Sequence, residues 1–299
     1  MKLGMYSPEI QRGTVDALFK AASGYGFECI QFDFTSLPPA DDETDLYSRT
    51  LRGDHMPETL SNTALQEVKS AAEKYGVSLT AVNGTYNMAH RAASERAIGI
   101  SRLETVAKAC KYLESPMITL CTGSRLDKGW AYGWEWDDAN TEPAAWEDMR
   151  DSMEKACRVA EKYDIRLGIE IEASNVVDTA EKAARLFEEV GSQRLGLIYD
   201  AANLFKTGDV VHTQAIETMK RTFDLLQDRI VLVHGKDLAN KPGLHFTSCG
   251  KGIVDFDYCL GRVKQIGYSG PMIIHGVHSE QLFPDSVEYM KGAIAKAEL

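Results

Sequence analysis

The sequence predicts an α/β fold, a single (β/α)8 TIM barrel running over residues 1–299. Strand and helix signals alternate from end to end, and the count reaches eight of each. At that number right-handed crossovers close a parallel sheet on itself. In addition, four short apolar runs in the C-terminal half each end in a residue type that binds metals. They are Leu167-Gly168-Ile169 before Glu170, Leu195 to Tyr199 before Asp200, Ile230 to Val233 before His234, and Met272-Ile273-Ile274 before His275. These four lie about 30 to 40 residues apart, the length of one strand-plus-helix unit.

The elements follow in order. Lys2–Tyr6 and Glu28–Phe34 read as the first two strands, flanking a helix over Val15–Ser23. Leu60–Tyr75 carries Leu60, Ala64, Leu65, Val68, Ala71 and Ala72 at helical spacing. Val77–Val82 and Pro116–Cys121 are strands either side of a helix at Glu95–Leu113, and Pro143–Tyr163 and Ala180–Val190 are helices flanking the Glu170 strand. Helices at Gln214–Leu226, Asp257–Gln265 and Ser286–Ala297 complete the set. Ala72-Glu73-Lys74-Tyr75-Gly76-Val77 is echoed by Ala160-Glu161-Lys162-Tyr163-Asp164-Ile165, each reading as a helix end that turns into a strand. Thr35–Glu58 and Thr122–Glu142 are long irregular stretches on the side where barrel loops carry specificity.

Composition narrows the function. A net charge of −11 argues against a nucleic-acid partner, which needs a basic face. No apolar run approaches membrane-spanning length, so no membrane partner is expected. Six scattered cysteines without a Cys-x-x-Cys pair suit a reducing compartment. Met1–Met5 lacks the layout of a signal peptide, and a cytoplasmic location is the expectation. Homo-oligomerisation is left open.

At the carboxyl ends of barrel strands, Glu170, Asp200, His234 and His275 would converge at one mouth. Two carboxylates and two imidazoles make a mixed oxygen and nitrogen site for a divalent cation. That set suits Mn²⁺ first, also Co²⁺, Zn²⁺ or Fe²⁺, and Mg²⁺ less well. Side chains alternate along a strand, so Asp200 should face inward with Ile198, His234 with Leu232, His275 with Ile273, and Glu170 with Glu172.

These segments resemble the xylose-isomerase-like barrels, a family of sugar phosphate isomerases and epimerases. Leu167-Gly168-Ile169-Glu170 is similar to the family's first ligand strand, and Asp200-Ala201-Ala202-Asn203 to its Asp-x-x-His segment. His234-Gly235-Lys236-Asp237 is similar to its His-x-Lys-Asp segment, and Gly250-Lys251-Gly252-Ile253-Val254-Asp255-Phe256 to its Gly-x-Gly-x-x-Asp-Phe turn. The resemblance implies a divalent metal on Glu170, Asp200 and His234, with the last-strand residue as fourth ligand. The family usually has Glu there, and this chain has His275; it also has Asn203 where many members have His. The second departure, with the acidic charge, argues against the three-zinc DNA-repair branch of the same superfamily.

The implied activity is isomerisation or epimerisation of a sugar or keto-sugar by α-proton transfer through an enediolate, with a small-molecule sugar as partner. Glu170 is expected to be one acid/base and His275 either the fourth ligand or the second acid/base. Around them, Glu172, Asn203, Lys236, Asp237, His245, Trp134 and Asn87 are candidate substrate contacts, and Asn83, Tyr86, His90, Trp136 and Asn175 are further mouth residues. Two other readings stand beside this one. A lyase or dehydratase would let the same enediolate expel a leaving group, and a non-catalytic barrel would only bind the sugar.

Overall fold

The computed structural model describes residues 1–37, 56–126, 135–277 and 279–297. Eight parallel strands close into the expected barrel. They are β1 (Leu3–Tyr6), β2 (Cys29–Phe32), β3 (Ser78–Asn83), β4 (Met117–Leu120), β5 (Arg166–Glu170), β6 (Leu195–Asp200), β7 (Ile230–Gly235) and, after an inserted hairpin, β10 (Met272–Ile274). β10 pairs with both β7 and β1, which shuts the ring. The insertion is β8 (Asp237–Leu238) paired antiparallel with β9 (Phe246–Thr247). Two-residue strands are too short to leave a periodic signal, and sequence reading did not anticipate them.

The helices are α1 (Val15–Gly24), α2 (Asn62–Tyr75), α3 (Ala93–Leu113), α4 (Pro143–Tyr163), α5 (Ala180–Val190), α6 (His212–Leu226), α7 (Phe256–Gln265) and α8 (Phe283–Ala297). Their ends obey local chemistry. Thr14, Ser61, Thr179 and Asp255 cap α1, α2, α5 and α7 by accepting a backbone N–H three residues on. The repeated Ala-Glu-Lys-Tyr segments form the same motif twice. Gly76 (φ 65°) and Asp164 (φ 53°) adopt left-handed backbone, and Val77 and Ile165 donate back to the carbonyls of Ala72 and Ala160.

Outward-facing strand residues such as Val82, Ile118, Ile169, Leu197 and Val233 pack with Phe19, Val68, Met149, Leu186, Met219 and Met290 of the helices. The barrel interior is a separate, smaller cluster: Cys29, Ala81, Met117, Ile198, Leu232 and Ile273. Gly4 and Gly168 complete that layer. A Cβ on Gly4 would lie 2.7 Å from Ile273 Cδ1, and one on Gly168 would lie 2.8 Å from Ile198 Cγ1. Among the described residues, no helix is long and apolar enough to cross a membrane.

Candidate active site

Two residues beyond each member of the interior layer, the same face of each strand reaches the barrel mouth. From Gly4, Cys29, Ala81, Met117, Gly168, Ile198, Leu232 and Ile273 this step arrives at Tyr6, Gln31, Asn83, Thr119, Glu170, Asp200, His234 and His275. The apolar floor is thus roofed by a ring of eight polar or aromatic residues, one per strand.

Three of the four expected ligands are gathered. Donor atoms of Glu170, Asp200 and His234, all buried, lie within 4.8 Å of one another. His234 Nδ1 is 3.3 Å from Asp200 Oδ2 and 3.6 Å from Glu170 Oε1. With metal–ligand bonds of about 2.0–2.2 Å, two ligands of one ion sit at most about 4.4 Å apart, so small rotations would close this set on a cation. The donor chemistry, two carboxylates and an imidazole, fits a divalent first-row ion.

His275 is not part of that cluster. Its ring lies parallel to His234's (centroids 5.2 Å apart, interplanar angle 3°) and stacks on its other neighbour, Tyr6, at 4.7 Å. Its own N–H still bonds to Gly235 across the β7–β10 seam at 3.1 Å. The next peptide is gripped from far away in the chain: Glu9 accepts the N–H of Gly276 at 2.5 Å and of Val277 at 3.0 Å.

The charges are strongly coupled. Burial opposes charge on His234, yet the facing carboxylates of Glu170 and Asp200 win and lift it to about 9. Burial would also raise Asp200, but Lys236 and His234 hold it well below the usual carboxylate range. Glu170 is raised, chiefly by burial. Glu172 is pushed to about 7 by burial and by the nearby Glu170 charge, and Glu9 to about 8 by burial. Cys121 Sγ lies within 4.8 Å of donor atoms of both Glu170 and Glu172. Burial and those two carboxylates drive its thiol far up, so it stays protonated and a poor ligand as it stands.

The other expected residues divide into two groups. Asn203 and Lys236 join the centre: Asn203 Nδ2 donates to Glu170 Oε1, and Lys236 Nζ donates to Asn203 Oδ1 at 2.8 Å. Lys236 is 1% exposed, lies 4.0 Å from Asp200 Oδ2, and has the Phe246 ring 3.9 Å from its ammonium. Glu172 is buried beside Glu170 and accepts from Asn175 Nδ2 at 2.6 Å.

Asp237 and Asn87 are instead committed to loop architecture. Both Asp237 oxygens are filled by backbone N–H groups of Leu238, Gly250, Gly252 and Val254 at 2.9–3.1 Å, which folds the Gly-x-Gly turn around one carboxylate. Asn87 bonds both the N–H and the carbonyl of Ser124, and Asn175 Oδ1 accepts from Gly123 N at 2.5 Å. His245 is exposed, next to Gly243 in the hairpin. Tyr86 packs on α3 at Gly99, and His90 accepts the Ala92 N–H before that helix. Trp136 lies under Lys206 and Lys182. Trp134 lies outside the described residues.

Sequence reasoning missed Tyr6, Glu9, Gln31, Asp33 and Thr119. Tyr6 donates to Asp33 Oδ2 at 2.5 Å, and Asn83 donates to the same oxygen at 2.7 Å. Gln31 Oε1 is 2.9 Å from His234 Nε2, and Gln31 Nε2 donates to Thr119 Oγ1 at 3.3 Å. For Tyr6, Gln31, Asp33 and Thr119 the available signal was strand parity, which the C-terminal strands had already supplied; Glu9 lies in a turn after β1, where parity says nothing.

Known proteins share this architecture. L-ribulose-5-phosphate 3-epimerase UlaE of Escherichia coli O157:H7 is 25% identical over 202 residues, 67% of this chain and 63% of the relative's own length. The apo structure of 3-keto-D-glucoside 4-epimerase, YcjR, from E. coli superposes with a TM-score of 0.71 at 17% identity, covering 98% of this chain and 99% of that one. The probable 3-DHS dehydratase AsbF from Bacillus anthracis gives 0.70 at 13% identity, covering 97% and 99%. The sequence profile described as Xylose isomerase-like TIM barrel matches residues 19–293, and this chain belongs to that family.

Proposed function

We propose that the protein is a divalent-metal-dependent epimerase or isomerase of a sugar or keto-sugar. The carrying observation is the convergence of Glu170, Asp200 and His234 from three adjacent strands, with His275 next along the wall. A divalent cation on those three residues, Mn²⁺ in first place, supplies positive charge for the substrate oxygen that becomes anionic as the α-proton leaves.

Glu170 removes that proton. Its Oε1 is held by the Asn203 amide. In the closed ring β5 and β10 are separated by β6 and β7, so Glu170 and His275 look at a bound sugar from different sides. A second acid/base on the other side is what inversion of a stereocentre needs, and His275 fills that role. Lys236 offsets the excess negative charge of the acidic cluster through Asn203 and Asp200. The epimerases UlaE and YcjR support this reading, and the barrel shared with AsbF keeps elimination as the second.

The test is metal analysis of purified protein, then exchange of the α-proton in D₂O across free and phosphorylated ketoses and 3-keto-glucosides. Wild type should incorporate deuterium into a substrate and product of otherwise equal mass, and Glu170→Gln should abolish incorporation. A dehydrated product points to the lyase. Saturable sugar binding with no exchange in the Mn²⁺-supplemented enzyme would end both catalytic readings.

A further inference from the structure

The residue facing the far side of His234 is Gln31, on β2, 203 positions away in the chain. It is buried, and so are His234 and Thr119. The three make a directed line: the Gln31 amide N–H donates to the Thr119 hydroxyl, which turns the Gln31 carbonyl toward His234 Nε2 at 2.9 Å. The opposite ring nitrogen, Nδ1, points at Asp200 and Glu170. A carbonyl oxygen can only accept, so the nitrogen it meets must carry a proton. A protonated nitrogen cannot bind a cation, so when a metal displaces one ring proton of His234 it is the Nδ1 proton that leaves and the Nδ1 lone pair that binds.

We propose that Gln31, oriented by Thr119, is the positioning residue that pins the His234 tautomer. It keeps the proton on Nε2 and reserves Nδ1 for the divalent ion. This rests on the metal-binding reading above. Both residues would act through His234. Thr119 sits on β4 and Gln31 on β2, so the line ties the N-terminal half of the barrel to a ligand strand in the C-terminal half.

The experiment measures binding and proton position rather than turnover. Mn²⁺ and Zn²⁺ affinities are determined by calorimetry for wild type, Gln31→Leu, Gln31→Glu and Thr119→Val, each with its metal-free thermal unfolding curve. Gln31→Leu keeps the volume, removes the acceptor and should weaken binding about 10- to 100-fold, the usual effect of losing a group that orients a metal-bound histidine. Gln31→Glu restores an acceptor and should bind at least as tightly as wild type. That rescue is not expected if Gln31 only fills space, because a carboxylate in an apolar slot would do more harm than leucine. Thr119→Val should give a smaller loss in the same direction.

Long-range ¹H–¹⁵N spectra of the imidazoles in the Zn²⁺-loaded wild type should show the metal on Nδ1 and a slowly exchanging proton on Nε2. Metal on Nε2, or Gln31→Leu binding as tightly as wild type, would overturn the proposal while leaving the metal site intact. If wild type takes up neither ion, the functional reading falls and this proposal falls with it.

Discussion

Replacing Asn203 by leucine is the sharpest test of how the site holds its charges. The Asn203 amide bridges opposite partners, donating to the Glu170 carboxylate and accepting from the Lys236 ammonium at 2.8 Å. Hydrogen bonds to charged groups contribute about 1.5–3 kcal/mol each, so losing both sets an upper bound of roughly 3–6 kcal/mol. Part of this is recovered. Lys236 keeps the Phe246 ring at 3.9 Å and Asp200 at 4.0 Å, and Glu170 keeps His234 at 3.6 Å. The expected cost is about 2–4 kcal/mol, a fall in Tm of roughly 4–8 °C for a chain of this size. Urea titration of the metal-free protein measures it, and the same substitution in a Lys236→Met background isolates the pair. The coupling should be at least about 1.5 kcal/mol, because the second truncation no longer strands a buried ammonium. If Asn203→Leu costs less than about 0.5 kcal/mol and the coupling is nil, the amide does not bridge these charges and the site's electrostatics must be redrawn.

Other perturbations follow from the same structure. Gly123 has φ 77°, and a Cβ there would lie 2.2 Å from Asn87 Oδ1 and 2.8 Å from Met88 N, so Gly123→Ala should disrupt the loops over β3 and β4 and destabilise by about 2 kcal/mol or more in a urea titration. Burial raises Glu9 to about 8, so its neutral form adds stability below the unfolded value of about 4.3, and this is lost as pH rises through 8. Relative to wild type, Glu9→Gln should therefore gain stability between pH 5 and pH 9, by roughly 4 kcal/mol in total, after a constant offset for the acceptor it loses; a flat difference would contradict the raised value. Glu280 has the opposite sign, because the Arg12 guanidinium and the Tyr25 hydroxyl bond to it and hold it below its ordinary value. Its contribution is present above about pH 4 and lost as pH falls through the lowered folded value, so Glu280→Gln should cost about 0.5–1 kcal/mol at pH 7 and progressively less in acid, as read by thermal unfolding across that range.

The barrel was legible because its signals are local. Apolar runs, caps and left-handed helix ends such as Gly76 and Asp164 announce alternation without reference to distant residues. The buried cluster of Glu170, Asp200 and His234 was legible because each follows an apolar run on its strand. His275 was legible as a mouth residue but not as a non-member of the trio. Whether its ring turns toward the donors or lies flat between Tyr6 and His234 depends on a three-ring contact among β1, β7 and β10, which strand spacing does not encode. Asp237 resembled a substrate contact through its motif, whereas its oxygens are filled by four N–H groups of a turn up to seventeen residues later. Gln31 and Thr119 read as ordinary strand residues, since a lone polar side chain in an apolar strand acquires meaning only from what it faces across the barrel.

The imidazole of His275, at the place where the family resemblance implies a carboxylate, bears on what the rest of the mouth must do. A carboxylate at that position would add a fourth acidic group to a buried cluster of Glu170, Asp200 and Glu172, whose negative charge is offset by Lys236 and the protonated His234. His275 avoids that cost and adds a flat surface. Its ring joins Tyr6 to His234, and Tyr6 is tied through its hydroxyl to Asp33 and Asn83. The donor wall of β5, β6 and β7 is thereby connected to the hydrogen-bonding wall of β1, β2 and β3 by stacked rings. Aromatic pairs of this kind contribute about 0.5–1.5 kcal/mol beyond their buried area, enough to favour one ring orientation strongly over its alternatives. His275 is thus the contact through which the two walls of the mouth meet.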